Sequence, residues 1–144
     1  MGLLKIANAQ PAEVDVDFSV LEAVREMAKL KVGATAVMEN GKLVGIFTER
    51  DLMMRVVNKE QNLRETKVRD VMTSPVVTTT DKTPAVEAMD LMVERHLRHL
   101  PVVGENGQLL GMLSIRGLLH DRVDALHREL HSLDQYLLND GPGG

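Results

Sequence analysis

Residues 34–52, ATAVMENGKLVGIFTERDL, are the most informative part of this chain, because a second copy of their plan follows at residues 100–118, LPVVGENGQLLGMLSIRGL. Each copy has two short apolar runs on either side of an Asn-Gly pair, and then a helix-forming segment. Asn-Gly suits the positive φ angles of a type I′ turn, so each copy predicts a β-hairpin. A sequence that repeats in this way predicts a duplicated structural unit.

The repeat extends upstream of the hairpins at an offset of 65 residues, and one extra residue before the second turn makes the offset 66. In each unit an amphipathic helix precedes the hairpin. Ser19 and Glu22 have the spacing of a capping box, whereas Thr83 is expected to cap the second unit's helix with Pro84 in its first position. The identical pairs are Glu22/Glu87, Ala23/Ala88, Met27/Met92, Val37/Val102, Gly41/Gly107, Leu43/Leu109, Gly45/Gly111, Arg50/Arg116 and Leu52/Leu118.

Short extended stretches before each unit, and a second helix after each hairpin, complete the plan strand, helix, hairpin, helix. The sequence thus predicts an α/β fold of two pseudo-symmetric β-α-β-β-α repeats. Neither repeat is long enough to bury a sufficient core alone, so we expect the two to pack sheet to sheet. The predicted domains are 1–66 (first repeat, N-terminal segment and linker), 67–122 (second repeat) and 123–144 (helical extension and flexible tail).

The composition of the 144-residue chain excludes several function classes. The net charge of -4 and the aromatic content of 2% argue against nucleic-acid binding by electrostatics or base stacking. The absence of cysteine excludes thiolate metal sites and thiol catalysis, and no apolar run approaches the roughly 18 residues of a membrane helix. We therefore expect a cytoplasmic protein without catalytic activity, without a bound metal and without a membrane partner.

The predicted second helix of the second repeat continues to about Asn139. Its apolar residues recur at spacings of 4, 3, 4, 3 and 4, as in a coiled coil: Leu119, Val123, Leu126, Leu130, Leu133 and Leu137. This seam either folds back on its own domain or pairs with a second copy. A polar stripe beside it, formed by His120, Asp124, His127 and His131, is interpreted as an exposed helix face rather than as a metal site.

Three motifs together resemble the cystathionine-β-synthase (CBS) domain pair, over roughly residues 12–122. They are Val68-Arg-Asp-Val-Met72-Thr, Arg98-His-Leu-Pro101-Val-Val and Gly45-Ile-Phe-Thr48-Glu-Arg-Asp51. The resemblance implies that the chain binds an adenosyl compound between its repeats and regulates rather than catalyses. AMP is the first choice, with ADP, ATP, S-adenosylmethionine and NAD as alternatives. The family also implies a homodimer and an effector protein that responds to the ligand.

Thr48 and Asp51 are the first candidate ligand contacts. Thr48 stands where a strand ends and a helix begins, and exposed N–H groups at such a point attract phosphate. Asp51 can accept hydrogen bonds from the two hydroxyls of a ribose. Because Thr-x-x-Asp is also nearly a capping box, the residues alone leave both roles open.

The second repeat departs from this pattern, since Ser114 keeps the hydroxyl but Gly117 stands in place of the acid. One ligand per chain is therefore expected. By resemblance, the complete site joins Thr48 and Asp51 to basic residues of the second repeat, with adenine against two valines. The predicted site residues are Ile46, Thr48, Asp51, Val76, Val77, Arg98, His99, Pro101 and Arg116.

Without the resemblance, we would interpret Arg98 and His99 as solvated charged residues at the start of a strand. The alternative function is accordingly a ligand-free scaffold, in which the C-terminal helix makes a dimer or recruits a partner.

Overall fold

The computed structural model describes residues 2–140, so the predicted frayed end at 141–144 lies outside the described residues. The elements follow the predicted plan twice. The first repeat contains β1 (Glu13–Asp15), α1 (Val20–Leu30), β2 (Ala34–Glu39), β3 (Lys42–Thr48) and α2 (Glu49–Asp51), which continues as a π-helix over Leu52–Val57. The second contains β4 (Thr79–Thr80), α4 (Ala85–Glu94), β5 (His99–Val103), β6 (Leu109–Ser114) and α5 (Ile115–Asp140). A 3₁₀ turn (Leu3–Lys5) precedes the first repeat, and a short helix, α3 (Val68–Val71), joins the two.

The strands form two equivalent three-stranded sheets. In the first sheet, β1 pairs with β2 in parallel, and β2 pairs with β3 in an antiparallel hairpin. In the second sheet, β4, β5 and β6 repeat this order and these directions. The predicted α/β fold of two pseudo-symmetric repeats is therefore confirmed.

The backbone repeats in detail as well as in plan. Lys31 (φ 57°) and His96 (φ 55°) both adopt the left-handed conformation where α1 and α4 end, and they are 65 residues apart, which is the offset of the sequence repeat. The Ser19 capping box is present, because the Ser19 hydroxyl accepts from the Glu22 N–H and the Glu22 carboxylate accepts from the Ser19 N–H.

The predicted cap of α4 is wrong. Pro84 has an extended backbone (ψ 146°) and is itself the N-cap, so it does not occupy the first helical position. The Thr83 hydroxyl bonds instead to the Thr79 hydroxyl at 2.8 Å. The Thr83 side chain, which the local pattern assigned to capping, therefore contacts β4 instead.

Both predicted hairpins form, but their turns differ. In the first, Asn40 (φ 53°) and Gly41 (φ 78°) are both left-handed, as a type I′ turn requires. In the second, only Gly107 has positive φ, and the Gly107 N–H donates to the Gly104 carbonyl at 3.0 Å. The expectation of a type I′ turn at Asn106 is therefore wrong. The extra residue that changes the repeat offset lies in this longer loop.

The two sheets pack against each other, as predicted, and the structure shows that small and flexible side chains form the contact. Ala34 and Ala36 of β2 form one buried cluster with Ile46 of β3 and Met112 of β6. Alanine lets the facing sheet approach closely, and methionine adapts to the remaining space.

Each core also takes in a segment from a distant part of the chain. Val68 and Val71 of α3 are buried in the first core, although the sequence repeat assigned them to the second unit. Leu3, near the N-terminus, is buried in the second core. The bridges between Thr73 and Ile46 and between Asn8 and Met112 are equivalent in the two halves. The repeats therefore interlock, and the proposed division at residues 66/67 follows the sequence repeat rather than the cores.

Helix α5 begins on the second core and then leaves it. Leu118 is fully buried in that core, whereas every described side chain from 126 to 138 is exposed. The predicted extent of the helix is confirmed, and the alternative in which it folds back on its own domain is wrong. Among residues 2–140, no helix has both the length and the apolar composition needed to cross a membrane.

Leu118 should therefore be the residue of α5 on which folding depends most. We expect Leu118→Ala to lower the free energy of unfolding by about 2–5 kcal/mol, because it leaves a cavity in the second core. Leu138, which is 84% exposed, provides the matched control. Leu138→Ala should change the free energy of unfolding by less than about 0.5 kcal/mol. Urea unfolding followed by circular dichroism measures both, and equal losses would contradict this placement of α5.

Candidate functional site

The predicted Thr48–Asp51 pair lies at the junction of β3 and α2 and caps the helix. The Thr48 hydroxyl accepts from the Asp51 N–H at 3.2 Å. In return, Asp51 Oδ2 accepts from the Thr48 N–H at 3.1 Å and from the Thr48 hydroxyl at 3.2 Å. The capping role that the residues left open is thus present, and it holds the carboxylate in a fixed orientation.

The other oxygen of the Asp51 carboxylate faces a different segment. Asp51 Oδ1 accepts from the Thr73 hydroxyl at 2.9 Å, and the Arg55 Nε lies 3.8 Å away. Asp51 is only 6% exposed, and the Arg55 guanidinium also donates to the Met72 carbonyl at 2.6 Å. A carboxylate has about four acceptor positions, of which three are taken. A ligand hydroxyl would therefore use the remaining position or replace Thr73.

Thr73 and Arg55 were missed in the sequence. Arg55 had a local signal, because it is four residues after Asp51 on a helical segment and acid–base pairs at this spacing meet. Thr73 had none, since 22 residues separate it from Asp51. Only the bridge between Thr73 and Ile46 brings them together.

The predicted basic residues lie at the equivalent edge of the second sheet. His99 pairs with Ser114, and the Ile115 N–H donates to the Arg98 carbonyl at 2.8 Å. In the first repeat, the Glu49 N–H donates to the Gly33 carbonyl at 3.0 Å in the same way. Arg98 and Arg116 are exposed, so both guanidinium groups are accessible to an anion.

The electrostatic environment of His99 includes charged groups from both repeats. Burial lowers the pKa of His99, while the negative charge of Glu49 raises that pKa and the positive charge of Arg98 lowers it. Glu49 belongs to the first repeat and His99 to the second, so the start of α2 lies within electrostatic reach of the start of β5. Glu49 was also missed, because 50 residues separate it from His99 and no local spacing signals an interaction between them.

The remaining predicted residues divide between three environments. Ile46 and Val76 pack together in the cluster between the sheets. Val77 packs against the second core instead, together with residues of the N-terminal segment. Pro101 is buried in β5, where it pairs with Met112.

Two surface hollows among the described residues lie away from these side chains. One of about 560 Å³ is bordered by Arg55, Lys59, Gln61, Asn62, Glu65, Thr66, Asp70 and Val71, and a second lies along α5. Neither is lined by any of the nine predicted site residues. In the described part of the chain, no three His, Asp or Glu side chains are grouped as metal ligands. His120 of the polar stripe instead pairs with Asp124 at 3.3 Å.

Comparison with known proteins agrees with the fold of two repeats. The CBS domain family profile matches residues 5–58 and 68–124. The chain is 35% identical over 126 residues to the mitochondrial CBS domain-containing protein CBSX3 of Arabidopsis thaliana, covering 84% of this chain and 61% of that relative. Thus the chain spans about three fifths of the relative's length.

Two solved structures have the same fold. A CBS-domain protein of Burkholderia ambifaria superposes with a TM-score of 0.81 at 30% identity, over 86% of this chain and 95% of that one. A CBS domain protein of Pyrobaculum aerophilum, complexed with AMP, has a TM-score of 0.78 at 27% identity, over 88% and 97% of the two chains. With its duplicated sheets, interlocked cores and matching sequence profile, this chain belongs to the CBS domain family.

Proposed function

We propose that this chain is a regulatory module that binds an adenosyl compound between its two repeats, one ligand per chain, and does not catalyse a reaction. The observation that carries the proposal is the packing of the two sheets on each other, which puts Glu49, at the start of α2, within electrostatic reach of His99, at the start of β5. An acid able to accept ribose hydroxyls and a basic pair able to hold phosphate then belong to one cleft. The AMP complex of the Pyrobaculum aerophilum relative supports an adenosyl ligand.

In the proposed complex, each repeat supplies a different part of the binding surface. Asp51 accepts from the ribose, and the Thr48 hydroxyl lies beside the phosphate. Arg98, His99 and Arg116 neutralise the phosphate charge. Adenine lies against Val76 and Val77, with Ile46 and Pro101 in the sheets beneath it.

Ligand binding would change the contact between Asp51 and Thr73. A ribose hydroxyl that replaces the Thr73 hydroxyl on Asp51 Oδ1 releases the segment that pairs with Ile46. A ligand shifts a conformational equilibrium only by its differential affinity for the two states. This exchange of partners is the differential contact that an effector protein would detect.

The equivalent position in the second repeat lacks the acid. The Ser114 hydroxyl accepts from the Gly117 N–H at 3.0 Å, which keeps the capping bond but supplies no carboxylate. The backbone carbonyl of Ile6 borders this position. For this reason we propose a single strong site.

AMP is our first ligand, and ADP, ATP, S-adenosylmethionine and NAD are the alternatives that the same binding assay distinguishes. We further propose that the protein acts in the cytoplasm, as a homodimer, on an effector protein.

The second candidate function is a ligand-free scaffold, and the exposed apolar face of α5 favours it. Isothermal titration calorimetry separates the two functions. Heat of binding with one of the five ligands supports the ligand-binding regulatory function. No binding at millimolar concentrations of all five supports the ligand-free scaffold.

Asp51→Ala should weaken AMP binding by about 10–100-fold, because an ionised acceptor contributes about 1.5–3 kcal/mol to a buried hydrogen bond. Gly117→Ala is the matched control at the equivalent position of the other repeat. Its added Cβ would lie 3.1 Å from the Ser114 hydroxyl, so a small shift accommodates it. We expect Gly117→Ala to change the affinity by less than about threefold. Equal losses in the two variants, measured by calorimetry, would contradict the single-site proposal.

The affinity for AMP should also depend on pH through His99. Burial holds the pKa of His99 below 6.5 in the free protein, so the ring is neutral at neutral pH. Phosphate stabilises the protonated ring, hence affinity rises as the pH falls through the pKa of the complex and levels off below the pKa of the free protein. The phosphate itself gains a proton near pH ~6, and the comparison therefore needs a His99→Gln control.

Between about pH 8 and pH 6, the affinity of the unmodified protein relative to His99→Gln should rise by up to about tenfold. Glu49 and Arg98 are the charged groups that act on this ring, and they are unchanged in the control. A ratio that stays constant with pH would show that His99 does not contact the phosphate.

A further inference from the structure

A negative charge acts on one of the residues that we assign to the ligand phosphate. Glu49 follows Thr48 directly at the start of α2, and its carboxylate influences His99 of the second repeat. The proposed function gives Glu49 no role. A carboxylate near a phosphate lowers affinity, because like charges repel each other. Glu49 therefore limits how much negative charge a ligand can bring to this end of the cleft.

The edge of the first sheet fixes the position of Glu49. The Glu49 N–H donates to the Gly33 carbonyl at 3.0 Å, and β2 begins at the next residue, Ala34. The Glu49 side chain then lies over Gly33, since a Cβ added to Gly33 would overlap Glu49 Oε1. Glycine at this position thus leaves space for the carboxylate at the edge of the sheet.

The equivalent edge of the second sheet has the opposite charge. The Ile115 N–H donates to the Arg98 carbonyl at 2.8 Å, and this bond repeats the one between Glu49 and Gly33. An acid in the first repeat thus corresponds to an apolar residue in the second, and a glycine in the first corresponds to a base in the second. The backbone is duplicated, but one edge is acidic and the other is basic.

The packing of the sheets relates these two edges. Ala34, next to Gly33, belongs to the buried cluster between the sheets, and so does Met112 of β6. Met112 pairs with Pro101, which is two residues after His99 in β5. The charge of Glu49 raises the pKa of His99 across this contact. A phosphate held by His99 would therefore lie within electrostatic reach of Glu49.

The charged side chains at this end of the cleft match the charge of a single phosphate. Arg98 and Arg116 are positive, and a bound phosphate would also keep His99 protonated. Together with the negative Glu49, these side chains carry about two positive charges. A phosphate monoester carries about −1.5 to −2 at pH 7, so AMP is neutralised. Each further phosphate adds negative charge that this set of residues does not offset.

We propose that Glu49 restricts the ligand to adenosyl compounds with one phosphate or none, because it repels the additional phosphates of ADP and ATP. This inference rests on the proposed function, since it concerns the ligand of the same cleft. AMP and ATP present the same adenosine, so the discrimination depends on the phosphates alone. Glu49 is a specificity determinant in this proposal, and adenosine binding does not require it.

Calorimetric titration of the full chain with AMP, ATP and adenosine tests the proposal. The ionic strength is kept near about 0.05 M and Mg²⁺ is left out, because salt screens exposed charges and Mg²⁺ neutralises phosphates. The unmodified protein should bind AMP more tightly than ATP. Glu49→Gln should lower the ratio of Kd(ATP) to Kd(AMP) by about 3–10-fold, while Kd(adenosine) stays within about twofold.

Glu129→Gln is the matched control, because it removes the same charge from an exposed position of α5. Glu129 lies about 21 Å along the helix from Ile115, given the rise of 1.5 Å per residue. This variant should leave the ratio of Kd(ATP) to Kd(AMP) within about twofold, since a charge at that distance is largely screened.

A titration of His99 followed by NMR gives a readout without ligand. Glu49→Gln should lower the pKa of His99 further, because the substitution removes a negative charge that raises that pKa. Glu129→Gln should leave the pKa of His99 unchanged. An unchanged pKa in Glu49→Gln would show that the carboxylate does not act on His99, and would overturn the inference.

The binding results separate this inference from the proposed function. If AMP binds but the ratio of Kd(ATP) to Kd(AMP) is the same in Glu49→Gln, the inference is wrong and the proposed function stands. The same holds if Glu49→Gln strengthens the binding of adenosine as much as that of ATP, or if the unmodified protein prefers ATP to AMP. No binding of AMP, ATP or adenosine would overturn the proposed function, and the inference with it.

Discussion

The contact between the two sheets is the interaction on which the rest of the structure depends. Ala34 and Ala36 of the first sheet, with Ile46, pack against Met112 of the second. Small side chains here let the sheets approach until Glu49 of one repeat acts on His99 of the other. These two edges, 50 residues apart in the chain, are the ones that we propose as the walls of the ligand cleft.

Because the cores interlock, the residues of the proposed cleft are joined by packing and hydrogen bonds to the rest of the domain. The segment that ends in Thr73 starts with α3 in the first core, pairs with Ile46 and bonds to the Asp51 carboxylate. The residue proposed to hold the ribose is therefore already part of a hydrogen-bonded network. A satisfied buried carboxylate rigidifies its surroundings, and any ligand that competes for it must alter them. In the proposed complex, where the ribose hydroxyl replaces Thr73 on Asp51 Oδ1, binding and conformational change would be one event.

Features with local causes could be predicted from the sequence. The Ser19 capping box, both hairpins and the extent of α5 follow from spacings of a few residues, and the 65-residue offset was sufficient to predict the paired sheets. Features that depend on contacts between separate segments of the chain could not be predicted. Thr83 bonds to Thr79 rather than capping α4, Leu3 and Val68 enter the cores of the opposite repeats, and Thr73 reaches Asp51. No periodicity signals such contacts, because only the tertiary packing brings these residues together.

A crystal structure of the chain grown with AMP tests the central claim most directly. We expect one AMP per chain, with its ribose on Asp51 and its phosphate on Arg98 and His99, and with the Thr73 hydroxyl moved away from the carboxylate. AMP bound beside Ser114 and Gly117 instead, or anywhere that leaves Asp51 and His99 without contact to it, would contradict the claim that the two repeats form a shared nucleotide cleft.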